Sequence, residues 1–120
     1  MPNRYFCSDG SRVTQSMIDL KYKKSRIARY AGNPVRWCQG CGKTLCNGSA
    51  HIIAQARCKT LHKTELIWDW NNFFPACNAC NQAIENPKGE AWKSLLNIDS
   101  CLEFIEKHDP ELFMKFSLNK

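Results

Sequence analysis

Apolar residues along this chain change rhythm three times. From Thr14 to Tyr30 (TQSMIDLKYKKSRIARY), Met17, Ile18, Leu20, Ile27 and Tyr30 recur at helical spacing behind a Thr14 N-cap, which predicts an amphipathic helix. Ala31-Gly32-Asn33-Pro34 ends it, since glycine serves as a C-terminal cap and proline cannot continue a helix. Residues 37–49 hold three glycines and no periodicity, the signature of a knuckle of turns. The run HIIAQA, 51–56, predicts a strand because Ile52 and Ile53 are β-branched, with a second strand expected around Leu66-Ile67-Trp68. Asn71 to Ala76 reads as a loop, and a short helix is expected from Asn78 to about Asn86, broken by Pro87–Gly89. The tail is helical: Ala91, Trp92, Leu95 and Leu96 face inward, Asp99 caps a helix carrying Leu102, Phe104 and Ile105, and Pro110 starts the last one.

Length and composition narrow this picture. At 120 residues with 43% apolar content, one domain is expected, divided into a basic helical arm (1–36), a core (37–86) and a helical tail (87–120). No run reaches the roughly 20 apolar residues that span a bilayer, so no membrane partner is expected. The start, MPNRYFCSDG, lacks the apolar centre of a secretory signal, which predicts an intracellular, cytoplasmic protein.

Eight cysteines then need a reason, because reducing compartments disfavour disulfides. Four fall in two C-x-x-C pairs, Cys38/Cys41 and Cys77/Cys80, separated by residues 42–76. Two such turns supply four thiolates to a tetrahedral ion, so a structural zinc site is expected, fastening a long loop. A redox dithiol would need only one pair. Cys7, Cys46, Cys58 and Cys101 show no pairing by spacing and are read as buried free thiols. A four-thiolate site is closed to substrate, so any chemistry must lie elsewhere, within the fastened loop.

Charge points to a partner. The whole net +6 lies in residues 1–36, concentrated at Lys21, Lys23, Lys24, Arg26 and Arg29 with Arg4, Arg12 and Arg36, while 37–120 balances to zero. Such a concentration is the footprint of a nucleic-acid binder, and Arg57, Lys59 and Lys63 could flank a phosphate from within the core. The competing reading is a solvated basic face. Tyr22, Tyr30 and Trp37 stand near these charges, either as core aromatics or as platforms for unpaired bases.

The order of these features resembles the HNH endonucleases. The matching residues are C38-Q-G-C41, then H51-I52, then Asn72 five positions before Cys77, then C77-N-A-C80 with Asn81 directly after, over roughly residues 37–86. The resemblance implies an α+β fold: a small ββα-metal (His-Me finger) core stapled by a four-cysteine zinc site, with helical N- and C-terminal extensions. It implies hydrolysis of phosphodiester bonds in DNA, with His51 as general base activating water and a catalytic Mg²⁺ or Mn²⁺ on the amide oxygen of Asn81. Asn72 would hydrogen-bond to shape the loop holding the histidine. Ala50 stands where many relatives carry a metal-binding Asp or His. Glu85, one helical turn after Asn81, would complete the ion's site, or else His62 or Asp69 would fold in. Without any of these the chain is expected to be a weak nuclease or a non-catalytic zinc-containing nucleic-acid-binding module. A third class is an interaction protein whose basic helix binds an acidic partner. Nothing in the residues separates duplex from branched DNA, or DNA from RNA. A homodimer would suit a small nuclease cutting both strands, and the chain's size would suit a phage or mobile element.

Overall fold

The computed structural model describes residues 4–33, 35–85 and 90–118. Among these residues it forms a small mixed α/β fold with three two-stranded antiparallel sheets and several helices. The chain opens with a hairpin that the pattern did not predict, β1 (Arg4–Phe6) against β2 (Arg12–Thr14). Its turn rests on local chemistry: the Asp9 carboxylate accepts from the Ser11 amide at 2.8 Å, and Gly10 adopts φ +87°.

Helix α1 (Gln15–Arg29) follows at once, capped as expected by Thr14, whose Oγ1 accepts from the Met17 amide at 3.3 Å. It stops where glycine allows: Gly32, at φ +76°, donates to the Ile27 carbonyl at 2.9 Å. Pro34 lies outside the described residues. The inward face differs from the predicted stripe. Ile18 and Tyr30 are buried, but Met17, Leu20 and Ile27 are exposed. The helix turns Tyr22, Ser25, Arg26 and Arg29 inward instead, because its neighbours offer aromatic faces and a carbonyl: Arg29 lies 5.2 Å from the Phe73 ring centre, and Ser25 donates to the Trp68 carbonyl at 2.6 Å.

The thiol knuckle is set between two short strands, β3 (Arg36–Trp37) and β4 (Leu45–Cys46). Next comes β5 (Ser49–His51), paired with β6 (Phe73–Pro75) in the register Ser49↔Pro75, Ala50↔Phe74, His51↔Phe73. This corrects the expected strands. The strand ends at His51 rather than beginning there, and Gln55–Thr60 is helix α2. Leu66–Trp68 belongs to a 3₁₀ turn (Thr64–Trp68), and the second strand occupies the expected loop. Its three residues are all buried, so it reads as a solid apolar run without alternation. Ile52 and Ile53 are buried in the turn between β5 and α2, where burial alone demands apolar side chains.

Helix α3 (Asn78–Ile84) starts as predicted directly after Cys77, and Pro87–Gly89, the expected break, lies outside the described residues. The tail comprises α4 (Glu90–Lys93), α5 (Ile98–His108) and α6 (Pro110–Leu118). Trp92, Leu95, Phe104 and Ile105 are buried as expected; Leu96 is exposed. Asn97 rather than Asp99 occupies the cap position of α5. The four spare thiols divide: Cys7, Cys58 and Cys101 are buried, and Cys46 is half-buried. Burial pushes the thiol of Cys58 up to about 12 and that of Cys101 up to about 11, so both are inert packing groups. No helix among the described residues is long and apolar enough to cross a membrane.

Candidate metal centre and adjoining cleft

The sulfurs of Cys38, Cys41, Cys77 and Cys80 all lie within 4.8 Å of one another, so the four cysteines can hold a metal ion such as zinc. Four thiolates at about 2.3 Å from a tetrahedral zinc stand about 3.8 Å apart, so closure needs contraction of about an ångström at most. The first pair sits in the turns after β3 and the second at the start of α3. The Gln39 amide donates to the Pro75 carbonyl at 2.9 Å, which ties the knuckle to β6. At Gly40 a Cβ would meet the Cys80 sulfur at 2.8 Å and its Cβ at 2.9 Å, so only glycine lets the two turns close. Burial works against ionising Cys38. Backbone N–H groups around it, led by that of Cys77 at 3.4 Å, nevertheless hold its thiol down at about 6, favouring the thiolate a metal requires.

The knuckle and the β5–β6 pair together set up a second feature. A cleft of about 410 Å³ is lined by Tyr22 and Arg26 from α1, Ser49 and His51 from β5, Asn81 from α3 and Glu85 from its C-terminal cap. Asn81 follows a metal-site cysteine, and Glu85, four positions on, comes to the same wall as i, i+4 spacing requires. The half-buried His51 ring packs 4.7 Å from Tyr22 and 6.1 Å from Phe73, measured between centroids. Its Nε2 lies 2.8 Å from the Ile67 carbonyl, an acceptor, so Nε2 carries the proton and Nδ1 keeps a lone pair. Burial lowers the imidazole pKa below its usual 6.5, the Arg26 charge adds to the lowering, and the Ile67 bond only partly opposes it. The ring is therefore neutral at pH 7 and able to take a proton.

Asn72 stands apart from the cleft. It is wholly buried, and its side chain ties two segments together. Oδ1 accepts from the Ile53 amide at 2.7 Å, while Nδ2 donates to the carbonyls of Ile53 at 3.1 Å and Leu66 at 3.0 Å. One carboxamide thus binds the turn after His51 to the 3₁₀ turn that carries the His51 acceptor, Ile67. Ala50, paired with Phe74, is buried, and its strand neighbours Ser49 and His51 line the cleft on the other face. The three residues expected to serve in place of a ligand at position 50 separate. Glu85 lines the cleft, His62 stacks 5.4 Å from Phe6 beside a different hollow, and Asp69 caps residues 70–72 by accepting from the Asn71 amide.

The basic residues also sort. Arg26 lies in the cleft, 4.6 Å from the Tyr22 ring centre, and Lys23 and Lys24 are exposed beside it. Lys21 lies over Trp68, Arg29 over Phe73 and Tyr30, and Lys59 donates to Gln15 at 2.7 Å with its ammonium over Tyr5. Arg57 departs from the expected phosphate-binding role. Its guanidinium makes a two-pronged ion pair, at 2.7 and 3.0 Å, with the buried Asp109 between α5 and α6. That charge is spent on packing the tail. Lys63 likewise donates to the His108 carbonyl at 2.7 Å. Tyr22 and Ser49 as cleft residues were beyond the sequence pattern, which gave neither a motif. Among known proteins, no family model, no curated protein and no solved structure matches this chain.

Proposed function

We propose that the protein is a metal-dependent endonuclease of the HNH, ββα-metal type that hydrolyses phosphodiester bonds in DNA. The observation that carries this reading is the cleft: a neutral histidine whose Nε2 is held by a carbonyl lines the same hollow as a carboxamide on α3 and a carboxylate at its end, beside the four-thiol centre. The succession β5, β6, α3 follows the family's order, and the thiol centre takes zinc as a structural staple.

In this reading His51 removes a proton from water at Nδ1 while Nε2–H stays bonded to Ile67, which holds the ring in the productive tautomer. Tyr22 and Phe73 wall the ring and restrict its rotation. Arg26 draws the phosphate to the cleft and faces the charge that builds on it. Asn72 acts through His51, by fixing the turns on both sides of the ring's acceptor. The oxygen donors Asn81 and Glu85 suit a hard divalent ion, Mg²⁺ or Mn²⁺, which would supply Lewis-acid stabilisation to the phosphate and leaving oxygen. A second reading, a nucleic-acid-binding module that does not cut, draws on Ala50, which leaves β5 without a metal ligand.

The deciding experiment is nicking of supercoiled plasmid by wild type and His51→Ala, each with and without added Mg²⁺ or Mn²⁺. Ion-dependent nicking that disappears in His51→Ala is the expected outcome. If folded, metal-loaded wild type binds DNA yet cuts neither plasmid nor single strands in either ion, the non-cutting reading replaces this one.

A further inference from the structure

Beside the cleft lies a second hollow of about 210 Å³, lined by Lys23, Arg26, Ile27, Tyr30, Asn33 and Asn47. The two are adjacent: Arg26 lines both, and the hydroxyls of Tyr30, in one, and Ser49, in the other, are bonded at 2.8 Å. Its size lies below the roughly 300–1,000 Å³ typical of sites for drug-sized ligands, which suits a single flat ring system. Its chemistry is also selective. Ile27 and Tyr30 give an apolar wall, Asn33 and Asn47 give carboxamides that both donate and accept, and no acid among the described residues lines it. The Nε of Arg26 is buried without a hydrogen-bond partner among the described residues, its guanidinium lying over the Tyr22 ring, while Arg26 as a whole lines both hollows.

We propose that this second hollow takes one unpaired nucleobase of the strand whose phosphate lies at His51, so that the substrate is single-stranded or locally unpaired DNA. The inference rests on the nuclease reading for its strand and deepens it by naming the substrate class. A base stacked and paired in a duplex cannot enter a hollow of this size, whereas an unstacked base presents both its apolar face and its hydrogen-bonding edge. Arg26, which lines both sites, offers its guanidinium charge to the phosphate between them, and Lys23 neutralises the flanking phosphate.

The test uses the full chain as His51→Ala, so that nothing is cut, and a short fluorescein-labelled DNA strand, alone or annealed to its complement. Fluorescence anisotropy at one fixed salt concentration gives both affinities. The strand is expected to bind about ten-fold tighter than the duplex. Asn47→Ala and Ile27→Ala, both at exposed positions that leave folding intact, are each expected to weaken strand binding about five- to ten-fold and duplex binding little. Equal affinity for the two forms, or equal losses on both, overturns the base pocket. Cleavage of plasmid and of single strands by wild type, measured alongside, keeps the two readings apart. Cutting without strand preference in binding sinks the pocket alone, strand preference with neither plasmid nor single strands cut sinks the nuclease alone, and binding to neither sinks both.

Discussion

Asn72 offers the sharpest test of how this site is held. Replacement by alanine removes three hydrogen bonds from one wholly buried side chain to main-chain groups, at 2.7, 3.0 and 3.1 Å, and a weaker one to the Cys58 sulfur at 3.7 Å. Each is worth about 1 kcal/mol net, and the Ile53 amide is left without its acceptor in the interior, so the total loss is about 3–4 kcal/mol. Against a typical domain stability of 5–15 kcal/mol, that is about 12–16 °C in melting temperature for a chain of this length. Urea unfolding followed by circular dichroism, with the metal kept bound, measures it. Asn72→Asp separates hydrogen bonding from shape. The aspartate keeps the acceptor for the Ile53 amide but turns a carboxylate toward the carbonyls of Ile53 and Leu66, where Nδ2 donated. At pH 7 this variant should be at least as unstable as Asn72→Ala. Repulsion raises the folded-state pKa of that carboxyl above its unfolded value of about 3.9, so stability is regained as pH falls toward about 4 and lost as it rises. A loss below about 1 kcal/mol in Asn72→Ala, or wild-type stability of Asn72→Asp at pH 7, would refute the account of Asn72 as the clamp on the His51 turn.

Three further outcomes follow from other contacts. Gly40→Ala drives a Cβ against the sulfur and Cβ of Cys80, so it should cost metal affinity and thermal stability together, read as faster zinc release to a chromogenic chelator. If His51 is the base of the proposed nuclease, the acid limb of kcat/KM for DNA cleavage should have its midpoint below 6.5, because the lowered His51 pKa keeps the base form at pH values where a free histidine is protonated. Removing a neighbouring cation in Arg26→Gln should shift the midpoint upward, and a wild-type midpoint above 6.5 contradicts the burial of the ring. Arg57→Ala strands the buried Asp109 carboxylate and should cost about 3 kcal/mol in stability while leaving the salt slope of DNA binding unchanged. Lys24→Ala should do the reverse, with stability nearly intact and the slope reduced by about 0.9 on duplex.

Much of the candidate site was legible because it is local. Two C-x-x-C pairs bring their own turns, so spacing alone foretold four sulfurs that approach within 4.8 Å. Asn81 and Glu85 share a wall because helical periodicity puts i and i+4 on one face. Thr14 caps α1 and Gly32 ends it through chemistry confined to a few neighbouring residues.

Apart from the meeting of the two thiol pairs, the tertiary structure decided the pairings over long distance, and with them the roles of several residues. Phe73–Pro75 became a strand because Ser49–His51 lies beside it and both its faces are covered, a circumstance no alternation could signal. The inward face of α1 was chosen by what it packs on. The Phe73 ring and the Trp68 carbonyl drew in Tyr22, Arg29 and Ser25, and left Met17, Leu20 and Ile27 outside. Arg57 carries the same charge as Arg26, yet Asp109, far along the chain, claims one while the other remains at the cleft. Charge, polarity and local turn chemistry belong to the residue and can be read in one dimension. Which partner meets that charge or fills that hydrogen bond depends on which segments the hydrophobic core draws together, and that is settled only in the folded chain.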